Sequence, residues 1–131
     1  VSTFKLEIVT PERKVYEKDA DMVVVEGVEG QLGILANHIP FVTPLKIAPV
    51  RIKLGNTEDE VAVHGGFMEV RKDKVIILAE LAELPGDINL ERAEMAKERA
   101  EKRLNQHEYD HARAELALQR AINRIRVGEH R

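Results

Sequence analysis

Hydrophobic and polar residues alternate along the first two-thirds of the chain. In "TFKLEIVT", Phe4, Leu6 and Ile8 alternate with Lys5 and Glu7, and further on Val50, Ile52 and Leu54 alternate with Arg51 and Lys53. A period of two sends one set to a buried face and the other to solvent, which predicts strands. "ADMVVVEG" reads as a nearly continuous apolar strand. "GN" at 55–56 marks a turn, and "GFMEVRKDKVIILAE" predicts a hairpin turning at Lys72 and Asp73. Short strands punctuated by glycine and proline predict a compact, antiparallel, all-β sandwich or barrel over residues 1–86.

After "LPGD" (84–87) the period changes. Ile88 to Val127 contains neither proline nor glycine and is rich in Ala, Leu, Glu, Arg and Lys, all strong helix formers. Asp87 is expected to cap this helical stretch or to act as a first-turn acid. "NQHEYDH" (105–111) is weakly helical and predicts the turn of an antiparallel two-helix hairpin over residues 87–131.

The helical half writes one pattern twice. Shifting the chain by 21 residues superposes Arg92, Arg99 and Arg103 on Arg113, Arg120 and Arg124, and Ala93, Ala96 and Ala100 on Ala114, Ala117 and Ala121. On a helical wheel of about 100° per residue, each set of arginines falls into one row with the alanines beside it. Alanine facing alanine allows a close helix–helix seam, and each arginine row then borders that seam. Glu94, Glu98 and Glu101 project to roughly the opposite side of the first helix, so its arginine row is not neutralised from within. A solvated face is the ordinary fate of helical charge. Paired guanidinium rows instead suit a phosphate chain or an acidic peptide, because the planar fork binds oxyanions bidentately.

Composition narrows the classes of function. The 131 residues carry a net charge of −3, which argues against non-specific nucleic-acid binding. Cysteine is absent, excluding thiolate metal sites and disulfides. No apolar run is long enough to span a membrane and no targeting segment is recognisable, so membrane contact is expected only through a partner. His38 and His64 have no Ser or Cys nucleophile arrangement beside them, and no G-x-x-x-x-G-K-[ST] loop occurs, so no catalytic role is expected. His107 and His111 have metal-pair spacing but fall in the expected turn, and no metal site is assigned. RNA binding lacks an aromatic platform, Tyr109 being the one aromatic residue of the helical half.

"EGQLGILANHIP" (29–40) and "HGGFMEVRKDKVIILAE" (64–80) resemble the two signature stretches of the ε-subunit family of F-type ATP synthases. "VTPERKVYEKDADMVVV" and the terminal hairpin fit the same family, so the resemblance spans essentially the whole chain. Ala36 stands where the family usually has proline. The resemblance implies a flattened β-sandwich followed by two helices, in a non-catalytic subunit of the central stalk. The sandwich of such a subunit binds the rotating γ subunit and stands on the c-ring. Glu29, Gly30, Gln31 and Leu32 match the loop facing the c-ring, and His38 matches a position close to γ.

In bacterial members the folded hairpin permits ATP hydrolysis and the extended one inhibits it. Several Bacillus-type members bind ATP, unhydrolysed, through an Ile/Leu-Asp-x-x-Arg-Ala motif. Here "INLERA" matches at Ile88, Arg92 and Ala93, with Asn89 in place of the aspartate. Further ATP contacts map onto Glu83, Arg99, Arg120 and Arg124. The inhibitory contact with an acidic loop of the catalytic β subunits maps onto Arg113, Arg120 and Arg124, in a hexamer of α and β subunits. The implied location is peripheral, on the cytoplasmic face of a bacterial plasma membrane. A free-standing ATP sensor outside any motor complex is the alternative.

Overall fold

A computed structural model of the chain describes residues 2–106 and 110–130. Eight strands form the N-terminal part: β1 (Phe4–Val9), β2 (Lys14–Ala20), β3 (Met22–Gly27), β4 (Gly30–Leu35), β5 (Phe41–Leu54), β6 (Thr57–Val70), β7 (Lys74–Ala79) and β8 (Ala82–Glu83). They hydrogen-bond in the order β2-β1-β7-β6-β5-β3-β4, with β8 alongside β6. The β1–β7 pair is parallel and the others are antiparallel. The turns at Gly55–Asn56 and Lys72–Asp73 form as expected.

One continuous sheet becomes a sandwich because its long strands serve both layers. β5 and β6 are 14 residues each, and β6 leaves β7 for β8 at Gly65–Gly66. Gly66 has φ 135°, and a Cβ there would lie 2.1 Å from the Leu78 carbonyl oxygen, so only glycine fits this crossing. The alternating positions then meet: Phe4, Leu6 and Ile8 pack with Val50, Ile52, Val75 and Ile77 in the interlayer core. On the outer face of β1, Glu7 is enclosed by Lys14 Nζ at 2.6 Å and by Lys74. The hydrogen bond from Lys14, then that from Lys74, hold its carboxyl down at about 2.

A 3-10 turn (Pro85–Asp87) leads to α1 (Leu90–Leu104), and α2 (His111–Glu129) returns antiparallel to it. Asp87 does not cap α1 as expected. It lies in the 3-10 turn, and Asn89 is the cap, its Oδ1 accepting from Arg92 N–H at 3.0 Å. Asp110 caps α2 in the same way, accepting from Arg113 N–H at 3.2 Å. His111 therefore belongs to the helix and not to the turn, while the histidine pair cannot be followed because His107 lies outside the described residues, as does Tyr109. No helix among the described residues is long and apolar enough to cross a membrane.

Candidate functional site

The hairpin closes on its alanines. Ala93 and Ala100 of α1 and Ala114 and Ala121 of α2 are buried, two of the three alanine pairs of the repeat, and Ala96 and Ala117 are half-buried. Side chains this small leave a groove between the helices, and the arginines stand along its edges. The groove has two halves. A lower cleft of about 480 Å³ beside the sandwich is lined by Glu83, Asn89, Arg92, Ala93, Arg99 and Arg124, among others. An upper cleft of about 540 Å³ towards the hairpin turn is lined by Arg99, Arg103, Arg113 and Arg120 over Ala100 and Ala114. Both volumes fall in the range of small-molecule sites.

Six of the eight residues matched to ATP contacts thus share the lower cleft. Arg120 lines the upper cleft, where it meets Arg99, which borders both. Ile88 points elsewhere: it is buried with Ala62 and Val127 in the joint between hairpin and sandwich. Asn89 spends its carbonyl oxygen on the cap, so what the asparagine shares with the family aspartate is that acceptor. Among the described residues the side chains of Arg92, Arg99, Arg113 and Arg120 pair with no carboxylate.

Arg124 differs, and its partner comes from outside the helices. Its Nε donates to Glu83 Oε1 at 2.6 Å, and the same oxygen meets His64 Nε2 at 2.9 Å. Burial pushes the Glu83 carboxyl up, but the hydrogen bonds from His64 and Arg124 and the Arg124 charge outweigh it, leaving it below the ordinary value. This cluster ties α2 to β6 and β8. Three neighbours complete the joint: Asn123 Nδ2 donates to Val63 O at 3.0 Å, Gly128 lets Leu90 and Ile88 pack against α2, and His130 Nδ1 lies 2.8 Å from Glu60 Oε2. Glu58, Glu60 and His130 form the one group of potential metal ligands among the described residues, with His130 Nδ1 2.8 Å from Glu60 Oε2.

The sandwich presents a second surface. Val42, Phe67 and Leu78 share one face of β5, β6 and β7 and are each more than half exposed, as is Ile39 beside them. A run of exposed apolar residues on neighbouring strands marks an interaction site. His38 precedes β5, its ring tilted at 5.3 Å against Phe41, which packs on the interlayer core. Sequence alternation could not find this face, because a strand carrying apolar residues on both sides reads simply as an apolar strand. Val28 and Glu29 form the β3–β4 turn, which follows Gly27 opposite Leu45 of β5, while Gly30, Gln31 and Leu32 already belong to β4 rather than to a loop.

The chain matches the profile of the ATP synthase delta/epsilon chain β-sandwich domain over residues 3–85 and that of the delta/epsilon long α-helix domain over residues 87–129. It is 60% identical over 128 residues to the ATP synthase epsilon chain of Halalkalibacterium halodurans, covering 95% of this chain and 96% of the relative. The epsilon chain of Shouchella clausii is 53% identical over 131 residues, covering 100% of this chain and 98% of the relative. Among solved structures, a chain of the Euglena gracilis mitochondrial ATP synthase shares the fold with a TM-score of 0.79 at 22% identity, over 91% of this chain and 77% of that one. From two-layer sandwich to arginine-bordered hairpin, the chain belongs to the delta/epsilon family of ATP synthase subunits.

Proposed function

We propose that this chain is the ε subunit of a bacterial ATP synthase, standing in the central stalk and regulating the motor through its hairpin. The 1–86 sandwich docks the γ subunit with the apolar face around Val42, Phe67 and Leu78 and with His38, and meets the c-ring with Glu29, Gly30, Gln31 and Leu32. That exposed face favours a stalk subunit over a free-standing sensor, which would have no use for it. The protein reaches the cytoplasmic face of the membrane only through these partners.

The 87–131 hairpin is the regulatory part. ATP binds in the lower cleft, with Arg92 and Arg99 on its phosphates, and holds the two helices together without being hydrolysed. No metal is required of the protein itself. In the extended state Arg113, Arg120 and Arg124 engage an acidic loop of the catalytic β subunits, so ATP and that loop demand the helices in different arrangements. A ligand shifts a conformational equilibrium only through such differential affinity. The observation that supports this reading is the cleft itself: small alanines on the floor, Arg92 and Arg99 on the walls pairing with no carboxylate among the described residues, and Glu83 and Asp87 along one side as acceptors. Calorimetric titration with ATP is expected to show binding to the isolated protein that Arg92→Ala weakens about tenfold or more. No heat of binding at millimolar ATP would overturn the proposal.

A further inference from the structure

The repeat that copies the arginines also copies the caps. Asn89 and Asp110 are 21 residues apart, and each accepts from the backbone N–H of the arginine three positions on. In an antiparallel hairpin such a repeat relates the two helices by an approximate two-fold axis across the seam. The clefts obey that axis. Asn89, Arg92 and Ala93 of the lower cleft correspond to Asp110, Arg113 and Ala114 of the upper one. Arg99 corresponds to Arg120, and Arg124 to Arg103, reached from the opposite helix in each case.

Two differences set the chemistry of the upper cleft. The lower cleft has Glu83 and Asp87 along one wall, acceptors contributed by the segment leaving the sandwich. Among the described residues the upper cleft has no counterpart: its single lining acid there is Asp110, whose Oδ1 is occupied by Arg113 N–H. None of its described residues offers a side-chain carboxylate pair to an exocyclic amine or a ribose hydroxyl as Glu83 and Asp87 do below. What remains are the guanidinium forks of Arg99, Arg113 and Arg120 on two facing helices, which pair with no carboxylate among the described residues, repel one another and are relieved by a multivalent oxyanion.

We propose that the upper cleft is a second anion site, taking a di- or triphosphate chain without selecting a base. The symmetry argument rests on the lower cleft being a phosphate site; the arginine geometry does not. A phosphate chain bridging Arg99 of α1 to Arg113 and Arg120 of α2 is held only while the hairpin is folded. Binding therefore stabilises the folded hairpin and covers Arg113 and Arg120.

Inorganic pyrophosphate, which has no base, is the probe. It is titrated calorimetrically at low salt into the full chain and into three variants whose helicity is checked by circular dichroism. Arg92→Ala is expected to retain one saturable pyrophosphate site. Arg103→Ala/Arg113→Ala is expected to weaken that upper site by at least about tenfold. Lys97→Ala/Lys102→Ala removes the same charge away from the seam and is expected to stay within about threefold of the parent protein. Unchanged binding in Arg103→Ala/Arg113→Ala overturns the proposal, as does an equal loss in the lysine control, which would mark bulk charge. Failure of the lower cleft reads separately, as ATP binding indifferent to Arg92→Ala.

Discussion

Glu83→Ala, measured without nucleotide, tests whether the cluster beneath the hairpin holds it down. Two hydrogen bonds end on one carboxylate oxygen, from His64 and from Arg124. Their losses differ in kind. The His64 side chain is 1% exposed, and its Nδ1 already lacks a partner among the described residues. Removing Glu83 leaves the whole ring buried without a hydrogen bond, costing about 1–3 kcal/mol. Arg124 is 27% exposed and regains water, so its share is up to about 1 kcal/mol. The expected loss for Glu83→Ala is about 2–3 kcal/mol, against about 1 kcal/mol for Arg124→Ala. Glu83→Gln keeps an acceptor and is expected to fall between. Urea unfolding gives the totals, and hydrogen exchange of α2 amides shows where they act. A double-mutant cycle should return a Glu83–Arg124 coupling of at least about 0.5 kcal/mol. Glu83→Ala costing no more than Arg124→Ala, with α2 protection unchanged, would refute the reasoning.

Three further outcomes are expected. Glu7, held at about 2 against an ordinary 4.5, is depressed in the folded state, so its contribution is full above the ordinary value and lost as pH falls towards 2; in acid titrations followed by circular dichroism, Glu7→Gln should flatten the loss of stability across that window. Asn89→Ala removes the α1 cap and is expected to cost about 1 kcal/mol in thermal melts, whereas Asn89→Asp keeps the acceptor and should be neutral or slightly stabilising. Gly66→Ala sets a Cβ 2.1 Å from a backbone oxygen at a φ of 135°, and should cost about 3 kcal/mol or more in urea unfolding.

Periodicity was enough to read the sandwich and the hairpin, because alternation and the 3.6-residue stripe follow directly from burying one face. The alanine seam was legible for the same reason: Ala93, Ala100, Ala114 and Ala121 are buried as the wheel places them. What periodicity could not see were contacts between distant segments. Arg124 looked like the other arginines on the wheel, yet Glu83, 41 residues away, neutralises it. Asn123 sits in the joint as a buried polar residue whose partner, Val63 O, lies on the sandwich, and buried His64 shares Glu83 with Arg124 of the hairpin. One local signal was overlooked: the repeat extends back to Asn89 and Asp110, and a residue that accepts hydrogen bonds three positions before each first arginine is a cap signature.

The proposed regulation requires the joint between hairpin and sandwich to open, and its make-up is compatible with that. α2 packs on β5 and β6, while α1 packs chiefly on α2, so the hairpin is held along one helix only. Its apolar part is small: Ile88 and Val127 against Ala62. The rest is polar, and two of its buried atoms, His64 Nδ1 and Asn123 Oδ1, have no partner among the described residues. Each such atom costs about 1–3 kcal/mol while the joint is closed and is released to water when it opens. The closed hairpin also holds its two arginine rows face to face. A ligand bound only to the folded hairpin, at 100 times its Kd, adds about 2.7 kcal/mol. That is the same size as the polar terms it must offset, so under the proposed function the ligand's concentration relative to its Kd would decide which state prevails.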